Sequence, residues 1–229
     1  MNDITDKLIK LLDAYADAEK AQPMSAYMKN KFQYFGIKSP ERKTLFTQWL
    51  KENPSFHKGI DLKSYQETSD IVWELFNQPQ RELSYCAVEL LEKTKKEWRL
   101  EDITFFEKFI ITNSWWDTVD YISTNIVGAY FIKYPDQIRP VTEGWMQSNN
   151  IWLQRVCLIF QLKYRKNTDF DLMTTYILRL KDSNEFFIQK AIGWALREYA
   201  KHDANAVKNF VEMYTLKPLS KREALKHIG

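Results

Sequence analysis

The stretch "NSWWDTVD", residues 113–120, sets two adjacent tryptophans beside two acids, with no histidine, cysteine or glycine loop nearby to supply a familiar catalytic apparatus. Placed on a helix, Trp116 and Asp120 are four residues apart and lie ~40° from one another around the axis, so they share a face. Later in the chain Lys190, Trp194 and Arg197, spaced by four and three, form another stripe with a tryptophan between two cations. A carboxylate beside an indole face suits positive charge, and cations around a tryptophan suit phosphate. Arg155 lies between the two stripes in sequence.

Each of these residues also has an ordinary structural role. Tryptophans at helical spacing usually pack in a core, and that is the expectation for Trp49, Trp73, Trp115, Trp145 and Trp152. Trp116 and Trp194 differ because their stripes carry charge. Asp120 can cap a helix or pair with Arg155 instead of doing chemistry. From Phe186 to Gly229 eight Lys or Arg face four acids, a local excess of +4 against +3 for the whole chain. Such a basic end suits phosphate, although a solvated helical face is the commoner meaning.

The elements that must hold these residues are helices. The 229 residues are 45% hydrophobic and 15% aromatic, enough for a substantial core, and six glycines and seven prolines are too few for a β-rich chain with frequent turns. Cys86 and Cys157 sit in helix-like contexts without metal-ligand spacing, which supports neither a disulfide framework nor a zinc site and fits a reducing cytoplasm. No signal-peptide layout opens the chain. No apolar run approaches the ~20 residues of a membrane helix. Punctuation predicts about a dozen helices, beginning near residues 3, 24, 40, 62, 80, 101, 115, 136, 150, 169, 184, 204 and 220. Ser39-Pro40-Glu41 has the order of N-cap, N1 proline and first-turn acid, and Ser220 to Glu223 has capping-box spacing.

A period of 35 links four of these segments. Gln189, Gln154, Val119 and Ser84 fall in step, and the next register position gives Tyr85, Asp120, Arg155 and Lys190, polar at every step. In a stacked array of helix pairs, equivalent positions line up along one surface, commonly the concave one that binds partners. The expectation is one all-α domain over residues 1–229, a HEAT-like solenoid of antiparallel helix pairs whose groove carries Trp116, Asp120, Arg155, Lys190, Trp194 and Arg197.

The segments "EKAQPMSAYMKNKFQYFGIKSPER" (19–42), "NSWWDTVD" (113–120), "NIWLQR" (150–155), "EFFIQKAIGWALREYAK" (185–201) and "PLSKREALKHI" (218–228), in that order over nearly the whole chain, resemble the AlkD-type alkylpurine DNA glycosylases. That resemblance implies a HEAT-like α-solenoid excising cationic 3-methyl- and 7-methylpurines from double-stranded DNA, without metal or cofactor, and leaving an abasic site. It implies that Asp120 is the essential carboxylate, that Trp116 and Trp194 are the cleft tryptophans, and that Arg155 contacts the DNA backbone. Tyr27 and Lys29 fall in the N-terminal helix used near the lesion, and Lys190 and Arg197 add phosphate contacts. A cytoplasmic monomer is expected, since the groove has to stay open to a duplex. The rival functions are a non-catalytic DNA-binding relative and a protein-binding helical scaffold.

Overall fold

The computed structural model describes residues 3–56 and 62–228. Helices form the architecture, and the only bridge of β type among the described residues is an isolated parallel one joining Gln33 and Gln80. The chain divides into two compact units, Met1–Arg99 and Leu100–Gly229.

In the first unit run α1 (Asp3–Asp13), α2 (Ala18–Tyr27), α3 (Ser39–Glu52), α4 (Leu62–Phe76) and α5 (Arg81–Lys93). Leu8 and Leu12, one turn apart on α1, are fully buried against the α3 and α4 side, where Thr5 also donates to Glu74 Oε2 at 2.8 Å. Helix α5 is enclosed on most faces and buries even Arg81 and Glu82. The Glu82 carboxylate accepts the backbone N–H groups of Phe35, Gly36 and Ile37 at 3.1, 3.0 and 3.2 Å. These bonds fix the connection from α2 to α3, and burial pushes the Glu82 carboxyl above its ordinary pKa despite them. Gly36 has φ +93°, and a Cβ there would lie 2.1 Å from Asp17 O, so the close approach needs glycine.

Two boundaries differ from expectation in this unit. Helix α2 begins at Ala18, six residues before the predicted start, because Asp17 caps it by accepting from Lys20 N and the helix then continues through Pro23. Ser39 is the first residue of α3 rather than its cap; Lys38 occupies the cap position without a side-chain bond, and the proline sits in the first turn as predicted.

The second unit contains α6 (Ile103–Ile111), α7 (Trp116–Tyr121), a π-helical turn at Ile122–Val127, α8 (Gly128–Lys133), α9 (Ile138–Gln147), α10 (Ile151–Ile159), α11 (Phe170–Leu180), α12 (Phe186–Tyr199), α13 (Ala204–Met213) and α14 (Pro218–Leu225). Its core is aliphatic and aromatic, with Phe106, Phe109, Tyr130, Phe131 and Phe160 essentially inaccessible. The 35-residue period is physical here. Gln154 Nε2 donates to Ser148 O at 2.9 Å, and Gln189 Nε2 donates to Ser183 O at 3.1 Å, the same bond one period later. The amides of Asn150 and Glu185 likewise donate to the Ser148 and Ser183 hydroxyls. In each repeat the glutamine satisfies a carbonyl left open past the end of the previous helix, and the serine hydroxyl accepts an N–H at the start of the next.

Helix α7 passes into α8 through the π turn. Ser123, Thr124 and Asn125 each donate a side-chain hydrogen bond to the carbonyl four residues back, those of Val119, Asp120 and Tyr121, at 2.6, 3.0 and 2.9 Å. Three consecutive donors competing for those carbonyls account for the slip of the backbone ladder, with Gly128 N–H reaching Ser123 O. A Cβ on Gly128 would lie 2.6 Å from Phe160 O, so the helix passes that turn only as glycine.

The capping box expected at Ser220 is absent. Lys217 holds the cap position of α14, Pro218 starts the helix, and the Ser220 hydroxyl donates to Gln189 O on α12 at 3.0 Å. The residue serves helix packing, because α12 and α14 approach closely: a Cβ on Gly193 would meet Glu223 Cβ at 2.4 Å and Ser220 O at 2.9 Å.

Candidate functional site

Asp120 lies in the last turn of α7 and Arg155 on α10, one period away, and the two helices pack together. The two side chains form a bidentate ion pair, Arg155 Nε to Asp120 Oδ1 at 2.7 Å and Nη2 to Oδ2 at 2.8 Å. Arg155 Nη1 donates in addition to the carbonyl oxygen of Phe187, in the first turn of α12, at 2.5 Å. One guanidinium thus ties α7, α10 and α12. The pair is mostly enclosed, with side-chain exposures of 5% for Arg155 and 16% for Asp120, so it is the carboxylate that keeps an edge toward solvent. Burial raises the Asp120 pKa above the usual aspartate value; the bonds and charge of Arg155 pull against that rise, and Asp117 adds to it.

An aromatic wall stands beside the pair. Trp115 and Trp152 each lie 5.0 Å, centroid to centroid, from Phe187, and 5.8 Å from one another. The Arg155 guanidinium is 6.0 Å from the Phe187 ring centre. Trp115, Trp152 and also Trp73 are half-buried rather than sealed in the core, whereas Trp49 and Trp145 are buried as expected. Trp116 and Trp194 are half-buried as well. Trp116 is one helical turn before Asp120 on α7, which puts indole and carboxylate on the same face.

On α12 the stripe of Lys190, Trp194 and Arg197 has a partner that sequence reasoning missed. Glu223 of α14 accepts from Lys190 Nζ at 3.0 Å and from Arg197 Nη1 at 2.6 Å, and Arg197 Nη1 also reaches Glu223 O at 3.1 Å. These two cations, Arg197 first, hold the Glu223 carboxyl down at about 2. The signal was present only as a carboxylate inside a basic segment, which local sequence assigns to capping. Phe187 was also missed, since it contributes a backbone carbonyl that no side-chain pattern reveals. Asp120 and Arg155 are therefore brought together, and Lys190 and Arg197 are joined through Glu223. Tyr27, at the end of α2, is 72% exposed, and Lys29 follows in a left-handed turn with φ 60° and is exposed; both belong to the first unit.

A family model described as DNA alkylation repair enzyme matches residues 8–228. The chain belongs to the DNA alkylation repair enzyme family. Among solved structures, it is similar to a predicted DNA alkylation repair enzyme from Enterococcus faecalis, at 31% identity with a TM-score of 0.84, covering 93% of this chain and 97% of that one. It is also similar to smu.31 from Streptococcus mutans UA159, at 17% identity and TM-score 0.60, covering 82% of this chain and 98% of that one, a likeness of fold alone. No curated protein matches the sequence. The all-α, HEAT-like expectation stands with this family, and DNA alkylation repair is the function the family carries. Among the described residues no helix is long and apolar enough to cross a membrane, and no group of three or more His, Cys, Asp or Glu could hold a metal ion.

Proposed function

We propose that this family member is a monofunctional DNA glycosylase that hydrolyses the N-glycosidic bond of cationic alkylpurines, 3-methyladenine and 7-methylguanine, in duplex DNA. The observation that carries the proposal is the Asp120 carboxylate, largely desolvated yet open at one edge, clamped at both oxygens and placed one helical turn from Trp116.

Glycoside hydrolysis passes through an oxocarbenium-like transition state, and most glycosidases use two carboxyl groups because one must protonate the leaving group. A purine alkylated at N3 or N7 already carries positive charge and departs neutral. One carboxylate then suffices. Glu223 of α14, bound by Arg197 and Lys190, is held at about 2 and so stays ionised at neutral pH. Asp120 stabilises the developing sugar cation and orients or deprotonates water, in a desolvated setting where the interaction is strengthened. Arg155 keeps that carboxylate oriented. Trp116 and Trp194 offer negative π faces to the same charge, each worth about 0.5 to 2 kcal/mol. Lys190, Arg197, Tyr27 and Lys29 contact the backbone and supply affinity without sequence readout.

Release of free base from DNA containing 7-methylguanine tests the reading. Asp120→Asn keeps one acceptor for Arg155 and removes the charge, and a loss of about 10²-fold or more is expected. Parent protein that releases no base, or a variant that keeps its rate, overturns the proposal. The closed ion pair favours one rival, a protein that binds DNA with Asp120 as a purely structural acid; it predicts duplex binding without base release. Neutral lesions such as ethenoadenine and hypoxanthine should be poor substrates, because their bases must be protonated before they can leave.

A further inference from the structure

Helix α14 sorts its charges by sign. Its single acid, Glu223, turns into the protein, where Gly193 allows the close approach and Lys190 and Arg197 bind the carboxylate. Its cations turn outward: Lys221 and Arg222 on the helix and Lys226 at its C-terminal cap are all exposed. None of the three has an ion-pair partner among the described residues. Arg222 and Lys226 are four apart and Lys221 adjoins them, so the three charges occupy one side of a short helix. Lys217, one turn before Lys221 at the cap position, is held by Asn184 Oδ1 at 2.9 Å.

We infer that the outer face of α14 is a second contact for the DNA phosphate backbone, separate from the stripe on α12, with Lys221, Arg222 and Lys226 each meeting a phosphate. A row of unneutralised cations held on a rigid element matches the regular negative charge of a duplex, one per ~1.7 Å of axis. The anchoring supports this assignment. Glu223 neutralises inward charge that belongs to α12 and leaves the outward charge of α14 intact, whereas a merely solvated face commonly intermixes signs. The inference uses only the duplex-DNA part of the functional reading and needs no base excision.

The test is binding of unmodified duplex DNA by fluorescence anisotropy over a range of salt. The variant is the triple change Lys221→Gln, Arg222→Gln and Lys226→Gln, and the control is Lys93→Gln, Lys95→Gln and Lys166→Gln, exposed residues elsewhere whose replacement removes the same charge. If each α14 cation meets a phosphate, the slope of log affinity against log salt becomes shallower by about 2 to 3, at ~0.9 per contact. The control should keep the parental slope. Equal flattening in both triples assigns the effect to net charge and overturns the inference, as does an unchanged slope in the α14 triple. Because the DNA carries no lesion, absence of base release in the parent leaves this measurement intact, and a parent that fails to bind duplex DNA overturns both readings. Arg222→Lys with both lysines retained should preserve the slope, and equal melting temperatures across the set exclude unfolding as the cause of any change.

Discussion

Arg155→Gln separates two roles for this arginine, contact with the DNA backbone and orientation of Asp120. The substitution removes two charge-assisted bonds to the carboxylate and one to Phe187 O, and leaves Asp120 in a largely desolvated place without its cation. Removing one partner of a buried pair costs about 3 to 5 kcal/mol, mostly through the charge left behind. At about 2 to 4 °C per kcal/mol for a chain of this size, melting should fall by roughly 6 to 20 °C. The pH dependence carries the sharper signature. Burial and Asp117 already raise the Asp120 pKa, and Arg155 opposes them, so its removal drives the pKa higher. A carboxyl whose folded pKa exceeds its unfolded value binds protons more readily in the native state, and stability then rises as pH falls through the folded pKa. The loss should therefore be larger at a higher pH than at a lower one, in urea denaturation at each pH. The acid limb of 7-methylguanine release should move upward in the same variant, because Asp120 then ionises only at higher pH. A destabilisation below about 1 kcal/mol, equal at both pH values, with an unmoved acid limb and a flatter salt dependence of DNA binding, would refute the clamp and return Arg155 to the phosphate backbone.

Two further outcomes follow from the same geometry. Trp116→Ala and Trp194→Ala should each lower turnover by roughly 2- to 30-fold, the range of one cation–π contact, with near-parental melting because both indoles are half-buried; a collapsed melting curve would place the residue in the core instead. Gly193→Ala forces a Cβ into Glu223 Cβ and Ser220 O, so α12 and α14 must separate and the protein should lose about 1 to 3 kcal/mol in denaturant unfolding. Full stability in that variant would mean that the helix pair yields without cost.

The helical architecture was legible because apolar periodicity and sparse punctuation both survive local scrutiny, and the boundaries that failed did so for identifiable reasons. The helix expected from near residue 24 starts earlier because Asp17 caps it upstream, and it runs on through Pro23. Ser220 looked like half of a capping box, and tertiary packing took its hydroxyl for Gln189 O. The 35-residue step was visible as a polar row, and the structure gives it a mechanical meaning: Gln154 and Gln189 make matched bonds to Ser148 and Ser183. Where Val119 occupies the step it has no such donor, and Ser114 reaches Ile110 O instead at 2.6 Å, from the segment before α7. The pairing of Asp120 with Arg155 was one of the readings open from sequence. The partnership of Glu223 with α12 was not, because it depends on a close helix approach that only Gly193 permits.

The same period that stacks the helices also decides what kind of site they can build. A step of 35 places Asp120 and Arg155 at equivalent positions of neighbouring repeats, so their bidentate contact is a lateral bond of the array. The carboxylate is thereby held by the scaffold itself rather than by a loop, which limits its motion while the open edge remains available. A guanidinium that binds both oxygens also reduces the net field Asp120 can project. The remaining attraction is short-ranged and favours charge that develops in contact with the free edge over charge passing at a distance. Such a site gains little from a neutral base that must first be protonated. Under the proposed glycosylase reading it gains most when the leaving group brings its own positive charge and hands it to the sugar at the moment the bond breaks, a reaction that asks for only one carboxylate.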